Sequence, residues 1–235
     1  DNICDSPLVG RNGDDKCPFI YTDKRLYLFR YFNYENSIRQ NLTEISKEEL
    51  KIVPKRRQQL GTYKGLIRRF QANIPNSKIE NNTAVDWSLL ACMNAYLRNF
   101  SIITGGPGTG KTTTIAKLLA LLFSENSAVR IALAAPTGKA SKRILESLKD
   151  SCLRQPDLFP QALHQFIHKA DAFTLHRLLG YQPNSPYFYH NTDRPLDYDV
   201  IIVDALVVTA VTVAPVAIAT IEIATASPFP QKHRN

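Results

Sequence analysis

The chain has 235 residues, with 29 Lys and Arg against 21 Asp and Glu and a formal net charge of +8. That length buries the core of one ordinary α/β domain plus a smaller module, and the positive balance favours a polyanionic partner. Four scattered cysteines (Cys4, Cys17, Cys92, Cys152) form no C-x-x-C pair and argue against a zinc site or a disulfide framework, while no apolar run is long enough to span a bilayer.

Residues 1–82 read as an N-terminal module and its linker. The first 23 residues, rich in Gly, Asp, Pro and Cys, predict loop, and RLYLFRYF (25–32) has strand character. Helical spacing of Ile38, Leu42 and Ile45 predicts a helix, which KEELKIV continues until Pro54 interrupts it. Basic residues concentrate between Lys24 and Arg69, in KRRQQ (55–59) and IRRF (67–70), a pattern shared by solvated helix faces and polyanion-binding ones. NIPNSKIENN (73–82) marks the linker. The sequons at Asn41, Asn81 and Asn99 matter only in a secreted chain; without a leading signal peptide they are chance matches, and the expected location is the cytoplasm. A start at Asp1 without methionine suits a fragment, a processed product or an incomplete gene model.

Residues 83–204 form the main domain. Asp86 predicts an N-cap for the helix WSLLACMNAYL, with Leu89, Leu90, Met93, Ala95 and Leu97 on its apolar face. FSIITG follows as a strand, TTTIAKLLALLF as a buried helix, VRIALAAPT as a strand, GKASKRILESLKDSCL as a helix and DYDVIIVD as a third strand. Strands alternating with helices of this length predict a parallel sheet wound by right-handed crossovers.

The most informative stretch joins the first strand to its helix. Gly105 to Thr112 spell G-x-x-x-x-G-K-T, in the strand-to-helix context that this phosphate-binding pattern requires. Gly105, Gly106, Gly108 and Gly110 let backbone N–H groups turn inward around a phosphate, while Pro107 and Thr109 occupy free positions. The helix N-terminus adds its positive dipole end, Lys111 reaches the β and γ oxygens, the Thr112 hydroxyl ligates Mg²⁺, and Thr113 extends the nucleotide-binding run. ATP and Mg²⁺ are therefore the expected cofactors.

GGPGTGKTTT (105–114), LAAPTGKAS (133–141) and FTLHRLLGY (173–181) together resemble the first RecA-like domain of superfamily 1 helicases, and among these the RecD family, the alpha subunit of exodeoxyribonuclease V. RLYLFRYFNYE is similar to the RecD N-terminal domain, so the resemblance spans roughly residues 20–204. It implies an α/β fold with a RecA-like P-loop parallel sheet, incomplete here, preceded by a small, mainly helical module. The implied activity is that of a 5′ to 3′ DNA helicase subunit in double-strand break repair and recombination, working with RecB-like and RecC-like subunits on single-stranded DNA and duplex ends. Pro136, Thr137, Gly138 and Lys139, with Thr174, His176 and Arg177, are implied to lie along the DNA strand. Asp204 is implied to hold Mg²⁺ with Thr112, which makes Lys111 and Asp204 the catalytic pair.

The chain departs from the family pattern in three places. The family has a glutamine after the tryptophan, where it reads adenine; here Ser88 follows Trp87, and a hydroxyl cannot present a donor and an acceptor together as an amide does. The family pairs its aspartate with a glutamate that polarises water; here Ala205 follows Asp204, removing a group worth about two to four decades in rate. Residues 205–235 then turn to Ala, Val, Thr and Ile, which suggests a frameshift, a degraded gene or an assembly error, with a genuine strand pair as the alternative. The expectation is a chain that binds Mg·ATP with little turnover or unwinding. A fragment of a stand-alone RecD-like helicase and a non-catalytic nucleotide- or DNA-binding remnant are the alternatives.

Overall fold

A computed structural model describes residues 6–13, 17–72, 86–106, 108–185, 187–205 and 208–213. The predicted linker, Pro107 and the tail beyond residue 213 lie outside the described residues. The chain divides into two compact units, residues 1–44 and 45–235. The sequence-based boundary at 82/83 falls within the undescribed stretch.

The first unit holds β1 (Val9–Gly10), β2 (Phe19–Thr22) and β3 (Arg25–Leu28), in the order β1-β2-β3. Strand β2 lies inside the expected loop. Asp23 and Lys24, with φ of 49° and 62°, make the tight reversal that joins β2 antiparallel to β3. The predicted strand at 25–32 is half strand and half helix, because α1 (Phe29–Thr62) begins at its midpoint. Tyr27 and Phe32, from the two halves, meet edge to face at 5.8 Å.

Helix α1 also runs through Pro54 instead of ending there. Proline removes one i→i−4 bond and costs about 3 kcal/mol, but it sits on the exposed face while Ile45, Glu49 and Leu60 are buried. Glu49 accepts hydrogen bonds from the Arg98 guanidinium at 2.5 Å and the Asn99 N–H at 3.0 Å. Arg56 donates to the Arg98 carbonyl, and burial holds its pKa below the ordinary value. Part of the basic run therefore serves packing.

Helices α2 (Lys64–Ala72) and α3 (Trp87–Leu97) precede the main sheet. Its strands are β4 (Phe100–Thr104), β5 (Ile131–Ala135), β6 (Ala172–Thr174), β7 (Val200–Ala205) and β8 (Val208–Val213), in the order β4-β8-β7-β5-β6. Helices α4 (Lys111–Glu125), α5 (Gly138–Arg154), α6 (Gln161–Lys169) and α7 (Leu175–Leu179), with a 3-10 turn at Pro156–Leu158, complete the unit.

Strands β5 and β7 are buried on both faces, which is why they read as continuous apolar runs. Ile131, Leu133, Val200 and Ile202 join the core with residues of α3 to α6, while Ala132, Ala134, Ile201 and Val203 pack with Leu175, Leu178 and Leu179 of α7 on the other side.

The sheet is mixed. Strands β6, β5 and β7 pair in parallel, as expected, but β8 is antiparallel to both of its neighbours, β7 and β4. The start of the anomalous tail thus returns along β7 and fills the gap beside β4. Register aligns Ile103 with Thr209 and Thr209 with Asp204. The end of the P-loop strand and Asp204 therefore stand two strand spacings apart, roughly 10 Å.

Candidate nucleotide and nucleic-acid site

Parallel strands present their carboxyl ends at one sheet edge, where α/β proteins bind ligands. The loop after β4, Asp204 near the end of β7, residues 136–139 after β5 and residues 175–177 after β6 all lie at that edge.

Gly108 and Gly110 carry φ of 77° and 88°, the left-handed values that turn the loop before α4. A Cβ at either position would meet nothing within 4 Å, so the backbone faces open space. The Lys111 ammonium donates to the Gly105 carbonyl at 2.5 Å and the Gly106 carbonyl at 3.1 Å, which places the cation at the lip of the loop. Thr109 donates to the Gly106 carbonyl at 2.9 Å and braces the same turn. Thr112 and Thr113 stand in the first turn of α4, half-buried.

The open glycine turn, the lysine at its lip and the free end of a 15-residue helix suit a triphosphate. Among the described residues no group of three His, Cys, Asp or Glu gathers as a metal cluster. Mg²⁺ needs no such cage, since it is commonly held by one or two protein oxygens together with phosphates and water. Thr112 and Asp204 would supply those oxygens. Asp204 is half-buried, and its Oδ1 accepts the Thr209 hydroxyl at 2.8 Å; Thr209, a residue that sequence reasoning missed, is fully buried.

Behind the loop, the start of α3 is tied to α4. Asp86 caps α3 by accepting the Leu89 N–H at 3.1 Å and pairs with Lys117 at 3.2 Å. Lys117 also donates to Ser88 Oγ at 3.4 Å, and Ser88 Oγ lies 2.9 Å from Thr114 Oγ1. The sequence offered a cue for the cap, but none for Lys117 as its partner.

At the other end of the edge, β5 pairs with β6 so that Ala135 faces Thr174. This sets the two sequence-predicted DNA segments side by side, and a Cβ on Gly138 would lie 3.9 Å from Thr174 Cγ2. Pro136, Thr137, Gly138 and Lys139 are exposed. Thr137 caps α5 through the Ala140 N–H, and Thr174 caps α7 through the Arg177 N–H. His176 is exposed, with its ring edge-on to Phe188 at 5.8 Å and Tyr181 at 6.3 Å, while the Arg177 guanidinium lies 5.5 Å from the Phe173 ring centre.

A glycine turn feeding a helix at the edge of an α/β sheet, with an aspartate at the end of a central strand, defines a P-loop protein of the RecA-like class. Residues 89–221 match the family model of an AAA domain, more than half of the chain, and the chain belongs to that family. It is similar to the RecBCD enzyme subunit RecD of Mycobacterium tuberculosis (strain ATCC 25618 / H37Rv), at 33% identity over 204 residues, covering 85% of this chain and 31% of that protein. The RecBCD enzyme subunit RecD of Haemophilus influenzae is 41% identical over 128 residues, covering 53% of this chain and 20% of that protein. The ATP-dependent RecD2 DNA helicase of Deinococcus radiodurans is 38% identical over 103 residues, covering 44% and 11%. The chain thus spans less than a third of the length of these curated relatives. Among the described residues no helix is long and apolar enough to cross a membrane.

Proposed function

We propose that this chain is the ATP-binding part of a RecD-like DNA helicase subunit, binding Mg·ATP at Gly105–Thr113 and single-stranded DNA across residues 136–139 with Thr174, His176 and Arg177. The observation that carries the reading is the open left-handed turn at Gly108 and Gly110, with Lys111 held at its lip. On nucleotide binding the Lys111 ammonium exchanges the Gly105 and Gly106 carbonyls for phosphate oxygens, and the N–H groups at the start of α4 face the same charge. Thr112 and Asp204 would hold the cation, which would offset phosphate charge there. Thr209 keeps the Asp204 carboxylate in place.

The resemblance supports a place beside RecB-like and RecC-like subunits at duplex ends, with 5′ to 3′ movement in break repair and recombination as the activity of the whole assembly. A cytoplasmic location accords with that role. For this chain the reading is binding with poor turnover, because Ala205 offers no base to polarise water. Equilibrium binding of ATP tests it: Lys111→Ala should weaken binding at least tenfold, and an unchanged affinity removes the assigned site.

A second reading, a nucleotide- or DNA-binding remnant without catalysis, is favoured by the same Ala205 and by β8, an antiparallel strand beside the P-loop strand. The similarity to the Deinococcus radiodurans helicase leaves a part of a stand-alone enzyme as a further alternative. Partner binding by the subunits named above separates the two enzyme readings.

A further inference from the structure

Resting on the nucleotide-binding reading, we propose that Trp87 is the stacking surface for the nucleobase, and that the base is held by its ring face without readout of its edge. A chain of hydrogen bonds places its neighbour Ser88 beside the helix that follows the phosphate loop. Thr114 Oγ1 donates to the Gly110 carbonyl at 3.1 Å, Ser88 Oγ lies 2.9 Å from Thr114 Oγ1, and Lys117 reaches both Ser88 and Asp86. The first residues of α3 are thereby fixed against the opening turns of the P-loop helix.

Proton counting then decides what Ser88 can do. Thr114 has one hydroxyl hydrogen and gives it to Gly110, so Ser88 must donate its own to Thr114 while accepting from Lys117. No hydrogen remains on Ser88 for a base nitrogen. The residue at this position therefore cannot tell adenine from guanine by the paired donor and acceptor that such discrimination requires.

Trp87, between the Asp86 cap and Ser88, is 73% exposed. A single exposed aromatic is unremarkable on its own. Here Asp86 and Ser88, on either side of it, are bonded to the phosphate-binding helix, so the backbone that carries the exposed Trp87 ring is held beside the first two turns of α4. Stacking of a base on an aromatic ring is tolerant of base identity, since every base has a π face.

Trp87 is the only tryptophan in the chain, so its emission reports on this position alone. The test is to titrate the full chain with Mg·ATP, Mg·GTP and tripolyphosphate, following Trp87 emission and measuring binding in parallel by calorimetry. ATP and GTP should quench the emission and bind within about threefold of each other, whereas tripolyphosphate should bind without quenching. Trp87→Ala should weaken ATP by roughly ten- to a hundredfold, leave tripolyphosphate unchanged, and be largely rescued by Trp87→Phe. ATP binding that Lys111→Ala abolishes, but that neither quenches Trp87 nor weakens in Trp87→Ala, overturns the stacking proposal alone. A preference for ATP over GTP beyond tenfold overturns the claim that the edge goes unread. If neither ATP nor tripolyphosphate binds, the nucleotide-binding reading itself falls, and the inference with it.

Discussion

The Thr209 hydroxyl donates to Asp204 Oδ1 across 2.8 Å, joining a strand that the sequence presents as an anomalous tail to the carboxylate assigned to Mg²⁺. Thr209 is fully buried, and its strand lies between β4 and β7. A hydrogen bond to a charged group is worth about 1.5–3 kcal/mol. Thr209→Val should therefore lower unfolding stability by about that amount in urea, and adding Asp204→Asn should cost less than the sum of the two single effects. Strict additivity would mean that the bond contributes nothing.

The same relationship shows what sequence reasoning could and could not reach. The left-handed turn at Gly108 and Gly110 and the start of α4 were legible because their signals are local: glycine spacing, a flanking apolar strand and a following helix all lie within about twenty residues. Apolar runs likewise located β5 and β7. The place of β8 was not legible, since Val, Thr and Ala indicate strand character but not direction or neighbours, and those are set by the gap between β4 and β7. Pro54 was misread because its position on an exposed helix face is a tertiary fact. Three-residue β6 is too short to show a period, although its pairing with β5 is what brings Thr174 beside Gly138.

Lys117 and Asp86 form an ion pair with side chains only 9% and 15% exposed. Removing one partner from such a pair typically costs about 3–5 kcal/mol, because it strands the other charge. Asp86→Ala should fall in that range and also lose the α3 cap, while Asp86→Ala with Lys117→Met should recover part of the loss. Chemical denaturation of the four variants in a double-mutant cycle measures this.

Gly180 and Gly110 both have left-handed backbones, with φ of 72° and 88°, but different surroundings. A Cβ at Gly180 would lie 2.8 Å from Tyr189 Cβ, whereas one at Gly110 meets nothing within 4 Å. Either substitution to alanine costs about 1–2 kcal/mol in backbone strain. Gly180→Ala should be the more damaging in thermal melts, because it adds a steric clash.

Arg130 joins the start of β5 to Asp199, just before β7, through its side chain and backbone N–H, and it also contacts Asp197. The Arg130 side chain first, then its N–H, hold the Asp199 carboxyl below its ordinary value. A depressed folded pKa stabilises fully above the unfolded value of about 4, and that contribution is lost as pH falls through the lower folded value. Stability of the native chain should therefore decline on acidification below about pH 4 more steeply than that of Asp199→Asn. The difference should be smaller than the Thr209 effect, because solvent screens this pair.

Burial pushes the Cys92 thiol up to about 12 and the Cys152 thiol up to about 11. Both should resist alkylation at pH 8 in the folded chain, while half-buried Cys17 reacts before either of them; mass spectrometry of the labelled sites gives the order.

A phosphate-binding loop with Ala205 after Asp204, and so no carboxylate there to activate water, should bind ATP without turning it over. Rapid mixing of the chain with radiolabelled Mg·ATP, with and without single-stranded DNA, measures bound nucleotide and released phosphate in one experiment. Saturable binding that Lys111→Ala weakens at least tenfold is expected, with phosphate release that stays near background when DNA is added. DNA-stimulated release over many turnovers would contradict it.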